Sequence, residues 1–150
     1  GLNKSTSISN FGNYKNLKVI YLQNNNISKI ENLHYASNLT HLYLRYNKIL
    51  VVEGLENLKN LTVLQIENQK LPFGESLYFD PRSILALSVL DATNNIIDDI
   101  NDLTETINIL ISLKDLSLQG NPVTKHYRYK ENLIANNDTI SKFDINLQKF

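Results

Sequence analysis

The chain has 150 residues, 15 basic and 15 acidic side chains and a hydrophobic fraction of 42%, enough for one domain with a continuous core. Zero net charge, with neither a basic stripe nor an acidic tail, argues against nucleic acid or a membrane surface as partner, and no apolar run approaches the roughly 18 residues of a membrane span. Absence of cysteine excludes disulfide and thiolate–metal staples.

Residues 1–16 do not open a pattern but end one. Ile8, Phe11 and Tyr14 stand 22 positions before Ile30, Leu33 and Ala36, so this stretch reads as the returning half of a truncated turn. Residues 17–123 then carry five tandem units. The first supplies Leu17, Ile20, Leu22, Asn25, Ile27, Ile30 and Leu33; the second supplies Leu39, Leu42, Leu44, Asn47, Ile49, Val52 and Leu55. In each, an apolar–polar–apolar triplet has the period of a half-buried strand. An asparagine follows where the chain must turn, and its amide can satisfy backbone groups that the turn would otherwise bury unpaired.

The third unit opens with Leu61, Leu64 and Ile66, but Gln69 stands in the asparagine position, and the longer amide implies a local distortion. Its return is extended: Pro72 and Gly74 mark a turn, and Asp80 followed by Pro81 predicts an N-cap and first helical position, opening a short helix through Ile84 and Leu85. The fourth, from Leu87, gives Leu90, Ala92, Asn95, Ile97, Ile100 and Leu103; the spacing of Ile107, Leu110 and Ile111 predicts a second outer helix. The fifth supplies Leu113, Leu116, Leu118, Asn121 and Val123, with Gly120, Asn121 and Pro122 as its turn. Residues 124–150 break the period and read as a terminal cap over the open core, within the same single domain.

The pattern LxxLxLxxNxI resembles the leucine-rich repeat. The implied fold class is α/β: a right-handed solenoid with a parallel β-sheet on its concave face and short helices and turns on its convex face. The 22-residue length, IxxIENLxxxxNL over residues 27–39, and the closing GNPVTKHYRYKENL with Phe143-Asp144 resemble the short-repeat class typified by regulatory subunits of type-1 protein phosphatase. VVEGLENLKNL, LPFGESLYFDPRSIL and SVLDATNNIIDDINDL are similar to a centrosome-associated branch of that class linked to type-1 phosphatase and tubulin. Relative to that branch the chain skips one repeat before the cap and has Asp144-Ile145-Asn146 where Asp-Gly is usual. The resemblance implies a non-enzymatic interaction scaffold whose partners are the type-1 phosphatase catalytic subunit, tubulin or centrosomal proteins. An axonemal dynein-linked module and an RNA-associated repeat protein are the alternatives within the wider class. Extracellular leucine-rich repeats usually carry disulfide caps, so a cytoplasmic location is expected, at the centrosome or cytoskeleton, with the nucleus as the other option.

The side chains between the core leucines point into the concave face. Tyr21, Gln23, His41, Tyr43, Arg45, Tyr46, Gln65, Glu67, Asp91 and Thr93 are the candidate partner-binding residues: aromatics and cations gather toward the N-terminal end and carboxylates from the third unit on. Exposed Tyr and Arg together have the composition of interface anchors, although any strand favours tyrosine. No catalytic constellation is present. His34, His41 and His126 fall on a return segment, the concave face and the cap, so they do not converge on a metal. Asp98, Asp99 and Asp102 read as a solvated loop, and nothing in the chain calls for a cofactor. The Asn-x-Ser/Thr sequons at Asn3, Asn26, Asn38, Asn60 and Asn137 follow from asparagine richness.

Overall fold

The computed structural model describes residues 5–9, 15–135, 137 and 139–144. Phe11, Tyr14 and the sequon at Asn3 therefore lie outside the described residues, while Ile8 is buried, as a returning segment requires.

In chain order the strands are β1 (Val19–Tyr21), β2 (His41–Tyr43), β3 (Val51–Val52), β4 (Val63–Gln65), β5 (Tyr78–Phe79), β6 (Val89–Asp91), β7 (Asp115–Ser117) and β8 (Lys142–Phe143), with helices α1 (Ile100–Ile109) and α2 (Tyr129–Ile134). Six strands form one parallel sheet in the order β1-β2-β4-β6-β7-β8. Each repeat contributes a three-residue strand that starts one position before its alternating triplet, so that the buried centre is the first apolar residue of that triplet: Ile20, Leu42, Leu64, Leu90 and Leu116 stand in register across the sheet. The spacing between stacked residues widens along the chain. Thr40 reaches Lys18 22 positions back, whereas Ser88 reaches Thr62 26 positions back.

Burial alone does not hold the turns. Behind the strands runs a ladder of buried amides: Asn25, Asn47, Gln69, Asn95 and Asn121. Nδ2 of Asn47 donates to the carbonyls of Leu22 and Leu44, both at 2.9 Å, while its Oδ1 accepts from the Ile27 N–H at 3.1 Å. Gln69 keeps the same chemistry, donating to Leu44 and Ile66 and accepting from Ile49. The next rungs differ in what they hold: Asn95 accepts from the N–H of Gln69 itself, 26 residues back, and Asn121 from that of Asn95, whereas Asn47 accepts from a residue 20 back. The expected distortion is thus a displacement of partners, with the Gln69 side chain keeping both its donor and its acceptor bonds.

The convex side follows from the longer returns. Pro72 to Glu75 close a turn through the Glu75 N–H and the Pro72 carbonyl at 3.0 Å, with Gly74 at φ 84°, a conformation a β-carbon disfavours. The chain then forms β5, which pairs in parallel with β3, Val51 opposite Tyr78. Asp80 caps a 3₁₀ turn over Pro81–Ile84, accepting from the Arg82 N–H. That agrees with the sequence expectation except that the turn is too short to be α-helical.

Two expectations need correction. The helix of the fourth repeat is α1, which begins at Ile100 because Asp99 accepts from the N–H groups of Asn101 and Asp102. Asp99 is therefore a cap, not part of a loop, and the inward face is Leu103, Thr106 and Ile107. Ile111, expected to extend that face, lies past the end of the helix and is 75% exposed. The cap is helical and then extended. β8 adds a sixth strand, Lys142 opposite Asp115 and Phe143 opposite Leu116, and Asp144 closes the amide ladder by accepting from the Leu118 N–H at 2.6 Å and from the Tyr129 hydroxyl.

Candidate functional site

The concave face is built by the parallel register. Tyr21, Tyr43, Gln65, Asp91 and Ser117 form one row across the sheet. Val19, His41, Val63, Val89, Asp115 and Lys142 form a second. Beyond the strand ends the ladder continues, with the N–H groups of Asn24, Tyr46, Asn68 and Asn94 donating to the carbonyls of Arg45, Glu67, Thr93 and Gln119. A third row, Gln23, Arg45, Glu67 and Thr93, is held there.

At the N-terminal end the rings of Tyr21 and Tyr43 stack at 4.9 Å with planes 7° apart, and His41 approaches Tyr43 at 6.2 Å. Such a stack contributes about 0.5–1.5 kcal/mol beyond its burial, yet Tyr21 remains 67% exposed, so an aromatic surface is displayed to solvent. Tyr21, Gln23, Tyr43, Arg45 and Gln65 together line a depression of about 110 Å³. His41 is oriented from below. The Thr40 hydroxyl donates to the Lys18 carbonyl at 2.9 Å and lies 2.8 Å from His41 Nδ1. With the hydroxyl proton so engaged, Nδ1–H is the donor.

Toward the middle of the sheet the character changes. Glu67 is raised from its ordinary 4.5 to about 7, first by burial and then by the charge of Asp91, with Arg45 acting in the opposite sense. Asp91 is held by the N–H and hydroxyl of Thr93 at 3.1 and 2.7 Å. Two acceptors in the third row, Gln23 Oε1 and Glu67 Oε1, are buried without a hydrogen-bond partner among the described residues, a costly state for a desolvated oxygen. Burial also raises Asp144 above its ordinary value, the Leu118 N–H opposing and Asp91 adding to the shift.

Nine of the ten sequence-derived residues thus share one surface. Tyr46 differs: it lies past β2 with φ 57°, in the left-handed position that Asn24, Asn68, Asn94 and Gly120 occupy in the other repeats. It is half exposed at the rim of the sheet. Sequence spacing does not reveal that contrast, although the alignment of a tyrosine with asparagines and a glycine hints at it. Asp144, whose charge reaches Asp91, is placed by the sequence only in the cap. Among the described residues, no group of three His, Cys, Asp or Glu side chains could hold a metal ion, and no helix is long and apolar enough to cross a membrane.

A family model for the leucine-rich repeat matches residues 16–35 and 38–61, the first two units of the ladder. This fold is a leucine-rich repeat solenoid. An internalin C2 from Listeria monocytogenes is similar, with TM-score 0.64 and 25% identity over 86% of this chain and 51% of that one. The Toll–Spatzle complex from Drosophila also contains a similar chain, with TM-score 0.59 and 24% identity over 72% of this chain and 16% of that one. The chain therefore spans about half the length of the internalin and less of the other.

Proposed function

We propose that this chain is a non-enzymatic scaffold whose concave face holds a protein partner, and that the partner is the catalytic subunit of type-1 protein phosphatase or a tubulin or centrosomal component. The observation that carries the reading is the displayed Tyr21–Tyr43 stack beside Arg45, His41 and Gln65. Rigid aromatic and guanidinium groups are what interface hot spots are made of. The finer identity of the partner is supported by the resemblance of residues 51–61, 71–85 and 88–103 to protein phosphatase 1 regulatory subunit 42. A location in the cytoplasm, at the centrosome or cytoskeleton, belongs to the same proposal.

The test is co-purification of the chain from centrosome-containing cell extract, with phosphatase catalytic subunit and tubulin quantified in the eluate. Tyr43→Ala combined with Arg45→Glu is expected to lower recovery at least tenfold, since two anchors at about 2 kcal/mol or more each are removed. Undiminished recovery with that variant would overturn the concave-face reading. Recovery of dynein components without phosphatase would replace the partner while keeping the scaffold.

A further inference from the structure

We infer that the centre of the concave face receives a basic side chain of the protein partner, an arginine or lysine, between Glu67 and Asp91 and beside the tyrosine stack. The inference rests on the scaffold reading and specifies the chemistry of what docks. Three features carry it. First, Gln23 Oε1 and Glu67 Oε1 are both desolvated acceptors without a donor among the described residues. Second, Asp91 Oδ1 is already held by Thr93, and the charge of Asp91 acts on the half-buried Glu67 of the neighbouring repeat. Third, Tyr21 and Tyr43 offer a stacked aromatic pair opening on a depression that Gln23, Arg45 and Gln65 complete.

What these two oxygens lack, among the described residues, is a donor. A guanidinium supplies five N–H groups on a planar frame, can bridge two carboxyls and lies flat on an aromatic ring. An ammonium supplies three donors and a point charge. The resident Arg45 does not fill the role: it is exposed, and among the described residues the only ion pair joins Arg82 to Asp80. An acidic partner segment would face Glu67 and Asp91 directly and is disfavoured by like charge. The charged or titratable groups that act on Glu67 from the flanking repeats are Arg45 on one side and Asp91 on the other, with Asp144 acting on Asp91 and His41 one row away. A bound cation takes the place of the proton that the pair retains near neutrality, so binding releases that proton and strengthens as pH rises from 6 to 8.

The experiment is an NMR titration of the full chain with the blocked peptide acetyl-Gly-Arg-Gly-amide and, separately, with its citrulline counterpart, a neutral isostere. The arginine peptide is expected to shift the amides of Gln65 to Glu67 and of Asp91 saturably at millimolar concentration, at least fivefold more strongly at pH 8 than at pH 6. Citrulline is expected to leave them in place. Glu67→Gln with Asp91→Asn, which keeps the amide-for-carboxyl shape, is expected to abolish the arginine response while the remaining spectrum reports an intact fold. Equal responses to arginine and citrulline, or shifts confined to other faces, overturn the inference. Partner recovery that survives the Glu67→Gln and Asp91→Asn pair but is lost with Tyr43→Ala and Arg45→Glu also overturns it, and leaves the scaffold reading standing.

Discussion

Replacing rungs of the amide ladder by leucine should produce unequal losses, in an order set by which backbone groups are left alone. In Asn47→Leu four bonds disappear, but the Leu22 carbonyl keeps the Asn25 amide at 2.9 Å, the Leu44 carbonyl keeps the Gln69 amide at 2.9 Å and the Arg45 carbonyl keeps the Asn24 N–H at 3.0 Å. The group left unpaired is the buried Ile27 N–H, whose acceptor was Asn47 Oδ1 at 3.1 Å. One orphaned buried donor costs about 1–3 kcal/mol. In Asn121→Leu the Ala92 carbonyl keeps the Asn95 amide at 3.1 Å, but two donors are orphaned, Asn95 N–H at 2.7 Å and Ile97 N–H at 3.0 Å. Asn121→Leu should therefore cost roughly 1–3 kcal/mol more than Asn47→Leu, or on the order of 2–12 °C more in Tm for a domain of this size. Urea unfolding followed by circular dichroism reads the difference, with an unchanged slope showing that the unfolded reference is common to both. If Asn47→Leu proves equal to or costlier than Asn121→Leu, counting orphaned donors is the wrong account of the ladder.

Gly120 has φ 75°, and a β-carbon there would lie 1.7 Å from Asn94 Oδ1. Gly120→Ala is expected to cost about 1–2 kcal/mol, with Asn94→Ala in the same chain recovering the steric part and leaving the backbone part, as thermal unfolding of the single and double variants would show. Glu67 is raised from 4.5 to about 7 in the folded chain, so the native state holds its proton more tightly than the unfolded state. The associated stability is fully present below pH 4.5 and is lost as pH rises through about 7. Glu67→Gln removes that dependence and should exceed the natural chain in stability at pH 8 by on the order of 1–2 kcal/mol, after allowance for screening of a partly exposed group. Urea midpoints of both proteins at pH 5 and pH 8 provide the comparison, and parallel pH profiles would contradict the assignment.

Much of the molecule was legible beforehand because a solenoid makes each repeat report on its neighbours. The apolar positions and the asparagine at each turn recur at a spacing that only stacked units can satisfy, and the strands and buried amides appear where that spacing puts them. The Asp80-Pro81 turn was equally local, since its cap lies within two residues of its donor. Legibility fell where the period broke. Phe143 is a sheet partner of Leu116 only because α2 carries the chain back across the end of the core, and an intervening helix of unknown path hides that pairing from any count of residues.

The candidate surface divides in the same way. By itself the sequence determined which side chains face the concave side, because alternation along a strand and register between repeats are properties of backbone geometry alone. It could not determine which of those side chains meet. Glu67 stands beyond the strand end and Asp91 lies on the next strand in register with Gln65, so their coupling is diagonal and depends on side-chain direction. The tertiary structure also decided that Tyr21 and Tyr43 stack and that Gln23 Oε1 and Glu67 Oε1 lose their water without gaining a donor among the described residues. Desolvation and diagonal contact depend on atoms from several repeats at once, and a linear pattern holds no record of their distances.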